Sequence, residues 1–452
     1  MTKIVVIGGD AAGASAGSQI KRKQSTWDVV MLERGQVTSY AACGLPYWVA
    51  GQVPRRDQLI ARTPAGHRAN GIDVRLGAEV VGIDPAAGTV TVHSAGGGET
   101  VEGYDQLVIG TGAMPVRPPI PGSSAPNVGT VHTVPGTQLL LDRITEADAP
   151  LRRAVVVGAG FIGIEMAEAF LDRGIDVTVI DQADQPMVSL DPDMGAVLAQ
   201  RMAVQGVACE FGQAVRELEL DGDGLARAVL TDAGRYPCDV VVLALGVRPN
   251  TAVAGEAGLP LGPAGGLLTD RRQQVLGHPG IWAAGDCVES YHRLLRRTVH
   301  VPLGTHANKQ GRVVGLNAAG DYATFPGIIG TAITKVGGTH VARTGLTEAQ
   351  AAEAGFDAVA AIVQTPVIAG YMPDPGVMAT KLLAERGTGR LLGGQIVGDQ
   401  VGAAKRIDTV VMAIWTGLTA EDLIGADLSY APPSSPVWDP VQTAARRILP
   451  AL

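Results

Sequence analysis

Residues 3–33 read KIVVIGGDAAGASAGSQI and close on VVMLE, and residues 153–181 read RAVVVGAGFIGIEMAEAF and close on VTVID. Each stretch is a short apolar strand, a glycine-rich turn, a helix of small residues, a second apolar strand and a terminal carboxylate. That is the βαβ unit which lays a dinucleotide's pyrophosphate on a helix N-terminus. One such turn would be weak grounds. Two, each with its strand before and its acid after, predict an α/β chain with two Rossmann-like dinucleotide-binding domains. Gly8, Gly9 and Gly13 carry the first turn, with Ala11 and Ala12 between them, and Asp10 stands where the pattern has its second glycine. Gly158, Gly160 and Gly163 complete the second, where Phe161, Ile162 and Glu165 open the helix. Glu33 and Asp181 are placed to accept from ribose hydroxyls. Asp181 with no Lys or Arg over 182–189 favours NADH, with NADPH still possible.

Strands with glycine at their ends, where doubly wound sheets place ligand loops, extend the pattern. Thr111 and Gly112 end one, Gly246 follows Val240–Leu245, and Gly285-Asp286 end Gly280–Ala284. Proline at 115, 118, 119 and 121 marks a hinge, and Arg248-Pro249-Asn250 the return. The expected division is 1–114 and 248–321 for one nucleotide domain, 115–247 for the second, and 322–452 for a C-terminal α+β domain. In the last, strands are expected over 327–336 and 358–365 and a helix over 403–416.

Sixty glycines in 452 residues suit a chain of many tight turns. A net charge of −8 argues against nucleic acid as partner, and no run of 18 apolar residues offers membrane insertion. The four cysteines (Cys43, Cys209, Cys238, Cys287) form no C-x-x-C, and the histidines show no ligand spacing, so neither a disulfide scaffold nor a metal site is expected. A reducing, cytoplasmic setting follows. Cys43 is the informative thiol. It precedes a glycine at an expected helix start, where the dipole and free amides would lower its pKa and supply thiolate. From the residues alone a small buried side chain remains the other reading.

Taken together, these residues resemble the pyridine nucleotide-disulfide oxidoreductases over nearly the whole chain. The resemblance implies FAD on the first fingerprint, NADH on the second, Gly285-Asp286 on the flavin's ribityl chain, and a homodimer through the third domain. It extends the cofactor contacts to Arg34, Ser39 and the segment Pro302-Leu303-Gly304-Thr305 with Ala307 at a helix start. Phe161 either covers the flavin or merely packs. The segment Ser39–Tyr47 holds one cysteine and no C-x4-C pair, similar to the single-cysteine branch of coenzyme A-disulfide reductases and NADH oxidases. Ala11 stands where the peroxidases and water-forming oxidases have histidine. Tyr371 in Gly370-Tyr-Met-Pro373, and Tyr430 in Tyr430–Trp438, match the tyrosines that reach a partner's site in that branch. Ser15, Gln19 and Arg22 match contacts to coenzyme A, and Ala42, Asn308 and Trp438 join that substrate set. Ala42 replaces the usual Asn, and a usual cation falls near Asn70, with Arg68 the nearest basic residue. No rhodanese-like extension is expected after residue 452. The implied activity is NADH-to-disulfide electron transfer through FAD and Cys43, with coenzyme A disulfide as a candidate acceptor. The rival readings are an NADH oxidase using O2 and a ferredoxin-reductase-like electron-transfer flavoprotein.

Overall fold

The structure is a computed structural model that describes residues 2–146 and 150–452. Strand β1 (Lys3–Ile7) is the centre of the first sheet, and Ile4, Val5 and Val6 are wholly buried because both faces are covered. Helix α1 (Ala11–Lys23) returns the chain to β2 (Asp28–Glu33), and the short α2 (Leu45–Ala50) follows the Cys43 turn. All five strands of this sheet are parallel, in the order 281–283, 106–109, β1, β2, 73–76.

The second sheet copies the first. Strand β3 (Arg153–Val157), helix α3 (Phe161–Asp172) and β4 (Asp176–Ile180) repeat the opening unit. The parallel order is 128–129, 240–243, β3, β4, 208–210. The chain passes out along Ala113–Pro115 and comes back along Val247–Pro249, and these two segments pair antiparallel. The outer strand of the first sheet, Ile281–Ala283, therefore comes from residues after the second domain.

Helix α4 (Gly304–Ala318) lies against α1. A Cβ on Gly311 would sit 2.3 Å from the Ala12 carbonyl oxygen, and one on Gly315 2.7 Å from that of Ala16. Only glycine allows so close an approach, and it brings the start of α4 over the turn after β1.

The C-terminal domain is a five-stranded antiparallel sheet in the order β5 (Ala332–Val336), 339–345, 391–399, 377–385, 358–366. Two expectations are corrected here. The strand expected from residue 327 begins at Ala332, because Gly327 and Gly330 take φ of +95° and +70°. The helix expected over 403–416 comes in two pieces, Val401–Lys405 and Ile407–Thr416, which meet at Arg406. The second domain docks on this sheet through a network centred on the buried Lys381 and Asp191. Lys381 Nζ donates to Asp193 (2.8 Å) and Glu348 (2.7 Å), and Asp191 Oδ2 accepts from Gln395 (2.6 Å). Among the described residues no helix is long and apolar enough to cross a membrane.

Candidate active site

The two glycine turns are built alike. Gly8 has φ of +96° and Gly158 of +106°, and an added Cβ would lie 2.2 Å from Gly110 O and 2.4 Å from Ala244 O. At Gly13 and Gly163 it would lie 2.0 Å and 1.9 Å from the carbonyl oxygens of Gly8 and Gly158. These four glycines are demanded by the chain itself. Gly160 differs: a Cβ there would meet nothing within 4 Å, and its φ of −78° suits any residue. The open space in front of it lies at the N-cap of α3, where no side chain caps the free amides.

The closing acids also correspond. Glu33 accepts from Gly9 N (2.8 Å) and Gly35 N (2.6 Å), and Asp181 from Ala159 N (2.6 Å) and Ala183 N (2.9 Å). Each carboxylate thus ties its own glycine turn to the strand end and keeps lone pairs for a ribose. Uncapped helix starts, fixed acids and an open cleft fit two dinucleotides.

A first cleft of about 1220 Å³ runs from Gly8 and Glu33, past Arg34, Thr111 and Gly112, to Asp286. Thr111 Oγ1 donates to Asn250 O at 2.6 Å, closing the cleft with the returning chain. Ala12 and Ala307 lie behind it as packing residues, both close to the Cα face of Gly285 (φ +87°), and hold Asp286 at the rim. Burial pushes the Asp286 carboxyl up, while His300 and His132 draw it down. Pro302, Leu303, Gly304 and Thr305 form the approach and first residues of α4, again without a side-chain cap. Ile162 packs into the core of the second domain behind the partly exposed Phe161, and Gly246 (φ +83°) faces open space.

A second cleft of about 1120 Å³ takes in Ala11, Ser15, Ser18, Arg22, Ser39, Arg62, His67, Asn308 and Arg312. Ser15 Oγ lies 2.9 Å from Asn308 Oδ1. Several expected positions shift. Ser39, expected at the flavin, lies in this second cleft in a left-handed turn (φ +49°), 2.9 Å from His67 Nε2. Ala42, expected here, lines the first cleft. Gln19 is not in the wall but accepts from Arg22 (2.8 Å). Trp438 lies outside both clefts beneath the Arg446 guanidinium. Arg68 donates to the Val74 carbonyl, and from this part of the chain it is Arg62 that enters the cleft, where it also donates to Ser18 at 2.8 Å. Sequence reasoning missed Arg62, Arg312 and His67, for no local pattern separates them from ordinary surface residues. Burial, then Arg62, pushes His67 down to about 4, so it is neutral at pH 7.

Asp10 and Tyr40 line both clefts, so the segment 39–42 is the partition between them, and Cys43 follows it directly. All four cysteines are free; Cys43 is solvent-exposed, whereas Cys238 and Cys287 are buried and Cys209 is half-buried. The expected lowering of the Cys43 pKa is overturned. Its side chain reaches water, but protein crowds the other directions, and this burial together with Glu165, Asp286 and Asp10 pushes the thiol up. Cys43 itself lies in a 3₁₀ turn, Ala42–Gly44, and α2, which follows, spans only six residues, too little helix to offset three carboxylates. Those acids are themselves shifted, Asp286 as described above. Burial and then Glu33 push Asp10 up to about 7, and burial and then Glu168 push Glu165 up to about 7. Within one chain no hydrogen bond or ion pair among the described residues joins Tyr371 or Tyr430 to Cys43. The two tyrosines meet each other instead: both are exposed, and a hydrogen bond to Tyr430 pushes Tyr371 up.

Paired nucleotide turns, a lone exposed thiol at their junction and a separate antiparallel domain define a class, and comparison with known proteins agrees. The pyridine nucleotide-disulphide oxidoreductase family matches residues 2–311, and the dimerisation domain of that family matches residues 331–440. The chain belongs to this family and is a flavin-dependent NAD(P)H oxidoreductase. It is similar to the NAD(P)H coenzyme A polysulfide/persulfide reductase of Pyrococcus horikoshii, at 36% identity over 98% of each chain. An NADH oxidase of Methanocaldococcus jannaschii is 32% identical over 100% of this chain and 99% of its own. Among solved structures, an NAD-dependent persulfide reductase from A. fulgidus superposes with a TM-score of 0.95 at 38% identity, covering 100% of this chain and 83% of the other.

Proposed function

We propose that the protein passes electrons from NADH through FAD to the Cys43 sulfur and on to a small disulfide, persulfide or polysulfide, with a coenzyme A-type thiol held in the second cleft. The observation that carries this reading is the place of Cys43: the exposed thiol follows the partition between a cleft suited to a dinucleotide and a cleft bearing Arg22, Arg62 and Arg312 against the single acid Asp10. Three guanidiniums suit a phosphorylated thiol. The first cleft would hold FAD, with Glu33 on the ribose, the α1 amides on the pyrophosphate and the α4 amides at the flavin end. The second turn would hold NADH through Asp181 and the α3 amides. Bound FAD supplies the two-electron link between nicotinamide and sulfur.

At sulfur, the Cys43 thiolate attacks one atom of a disulfide RS–SR. The S–S bond breaks, Cys43–S–SR forms, and RS⁻ leaves and takes a proton. Tyr430 is the proton donor from a partner subunit. Tyr430→Phe should slow disulfide turnover by about 10²-fold, a common size for the loss of a general acid. Reduction of the flavin by NADH, followed by rapid-mixing absorbance, should be unchanged. A mixed dimer of Cys43→Ser and Tyr430→Phe chains decides between subunits. Trans donation puts both lesions in one site and leaves about half the activity; near-zero turnover places the tyrosine in its own subunit's site.

Asp181→Ala should raise KM for NADH about tenfold, as expected for a lost hydrogen bond to a charged group, and leave NADPH nearly unaffected. Equal kcat/KM for both coenzymes in the parent protein removes this argument. The whole reading is tested by anaerobic NADH turnover against a panel of disulfides and polysulfides, set beside NADH-driven O2 uptake. Turnover with O2 alone makes the protein an oxidase. Turnover with a ferredoxin after Cys43→Ser makes it an electron-transfer flavoprotein.

A further inference from the structure

Thr334 belongs to the C-terminal domain, on β5, yet its hydroxyl donates to Glu165 Oε1 at 3.0 Å, across 169 residues of chain. Thr334 is 5% exposed, so the bond is made away from bulk water. Its neighbour Lys335 pairs with Glu168, one turn further along α3. Two successive residues of one strand thus grip two carboxylates of one helix. That helix packs against α2, the helix into which the Cys43 turn runs. Nothing in the proposed chemistry so far accounts for this grip, and a mere domain contact would not need a hydroxyl aimed at the carboxylate nearest the thiol in effect.

We propose that Thr334 is a positioning residue for the thiol chemistry: by holding Glu165 in place it sets the charge beside Cys43 and so the share of reactive thiolate. The inference rests on Cys43 being the redox thiol. Cys43 faces Glu165, then Asp286, then Asp10, each of which disfavours thiolate. Glu165 faces Glu168, which disfavours its ionisation, and Thr334 and Lys335, which favour it. Tyr47 on α2 stands between the two sets; burial, Glu165, Glu168 and Cys43 push it up to about 12, so it stays protonated throughout. Lys335 Nζ also lies 5.9 Å from its ring.

The sign follows. Without the Thr334 hydroxyl, Glu165 holds its proton to higher pH. Near pH 7.5 less negative charge then faces Cys43, its pKa falls, and more of it is thiolate. Removing the charge altogether does the same more strongly. The test is the rate at which iodoacetamide alkylates Cys43 in the FAD-loaded protein without NADH, between pH 6 and 9.5, read by mass spectrometry of the Cys43 peptide. At pH 7.5, Glu165→Gln should react about tenfold faster than the parent, which is a shift of one pKa unit. Thr334→Val should react about threefold faster on the same scale, and Thr334→Ser should match the parent. A parental profile in Thr334→Val beside a shifted one in Glu165→Gln overturns the role of Thr334. A parental profile in Glu165→Gln overturns the coupling whether or not Thr334→Val folds. Neither result depends on turnover, so failure of the thiol mechanism, seen as undiminished disulfide reduction by Cys43→Ser, stays a separate outcome.

Discussion

Cys43→Ser protein should reduce its flavin with NADH at the parental rate and lose disulfide turnover by on the order of a thousandfold or more, the scale of removing a nucleophile. The two halves separate because they use different parts of the molecule. On the proposed function NADH would be held by the turn after β3, which Asp181 ties to its strand end. Cys43 stands on the first domain, beyond the partition formed by residues 39–42. Serine is nearly isosteric but offers no thiolate at neutral pH, so exchange stops while the cleft keeps its shape. Rapid-mixing absorbance follows the first half and anaerobic thiol release the second. Parental disulfide turnover in the variant removes the single-thiol mechanism. The flanking acids add a pH signature. They raise the Cys43 pKa, so turnover should climb with pH beyond neutrality instead of levelling off below it.

The second large effect separates two kinds of glycine. Gly13→Val forces side-chain atoms onto the Gly8 carbonyl oxygen, which an added Cβ would already approach to 2.0 Å. Helix α1 must then move off β1, at a cost of about 3 kcal/mol. The protein should purify with little flavin and a lowered Tm. Gly160→Ala meets nothing within 4 Å and needs no unusual φ. It should keep its flavin and its Tm but weaken NADH binding about tenfold, since the methyl group occupies space left for the pyrophosphate. Equal NADH affinity in Gly160→Ala and parent, measured by titration of the holoenzyme, shows that the space is not used.

These contrasts mark what could be read from residues in order. Both fingerprint turns were legible, because a backbone that must pass another at contact distance leaves glycine as the only choice, and the acids at 33 and 181 fall at fixed spacing. The α/β class followed from the same units. The surroundings of Cys43 were not legible. Its three acids come from positions 10, 165 and 286, which only the fold brings together, and a local view of residues 42–50 therefore gave the wrong direction for its pKa. Arg62 was missed for Arg68 because six residues of short helix decide which of the two turns into the cleft. The bond from Thr334 to Glu165 has no local trace at all. Nor did the helix-like tract 403–416 announce its break, which arises because Arg406 is used from below by other segments.

That break has a mechanical meaning. Arg406 donates to Asp439 (2.8 Å), to the carbonyl of Val367 (2.9 Å) and to that of Ser434 (2.9 Å), while Ala369 N donates to Pro432 O (3.0 Å). The stretch before Tyr371 and the stretch after Tyr430 are thus fastened by one guanidinium, which places the two tyrosine-bearing segments together. Neither loop can be lengthened, shortened or exchanged on its own without misplacing the other's ring. Variation in acceptor preference among chains of this build should accordingly come as joint changes in both loops, with the arginine beneath them left alone.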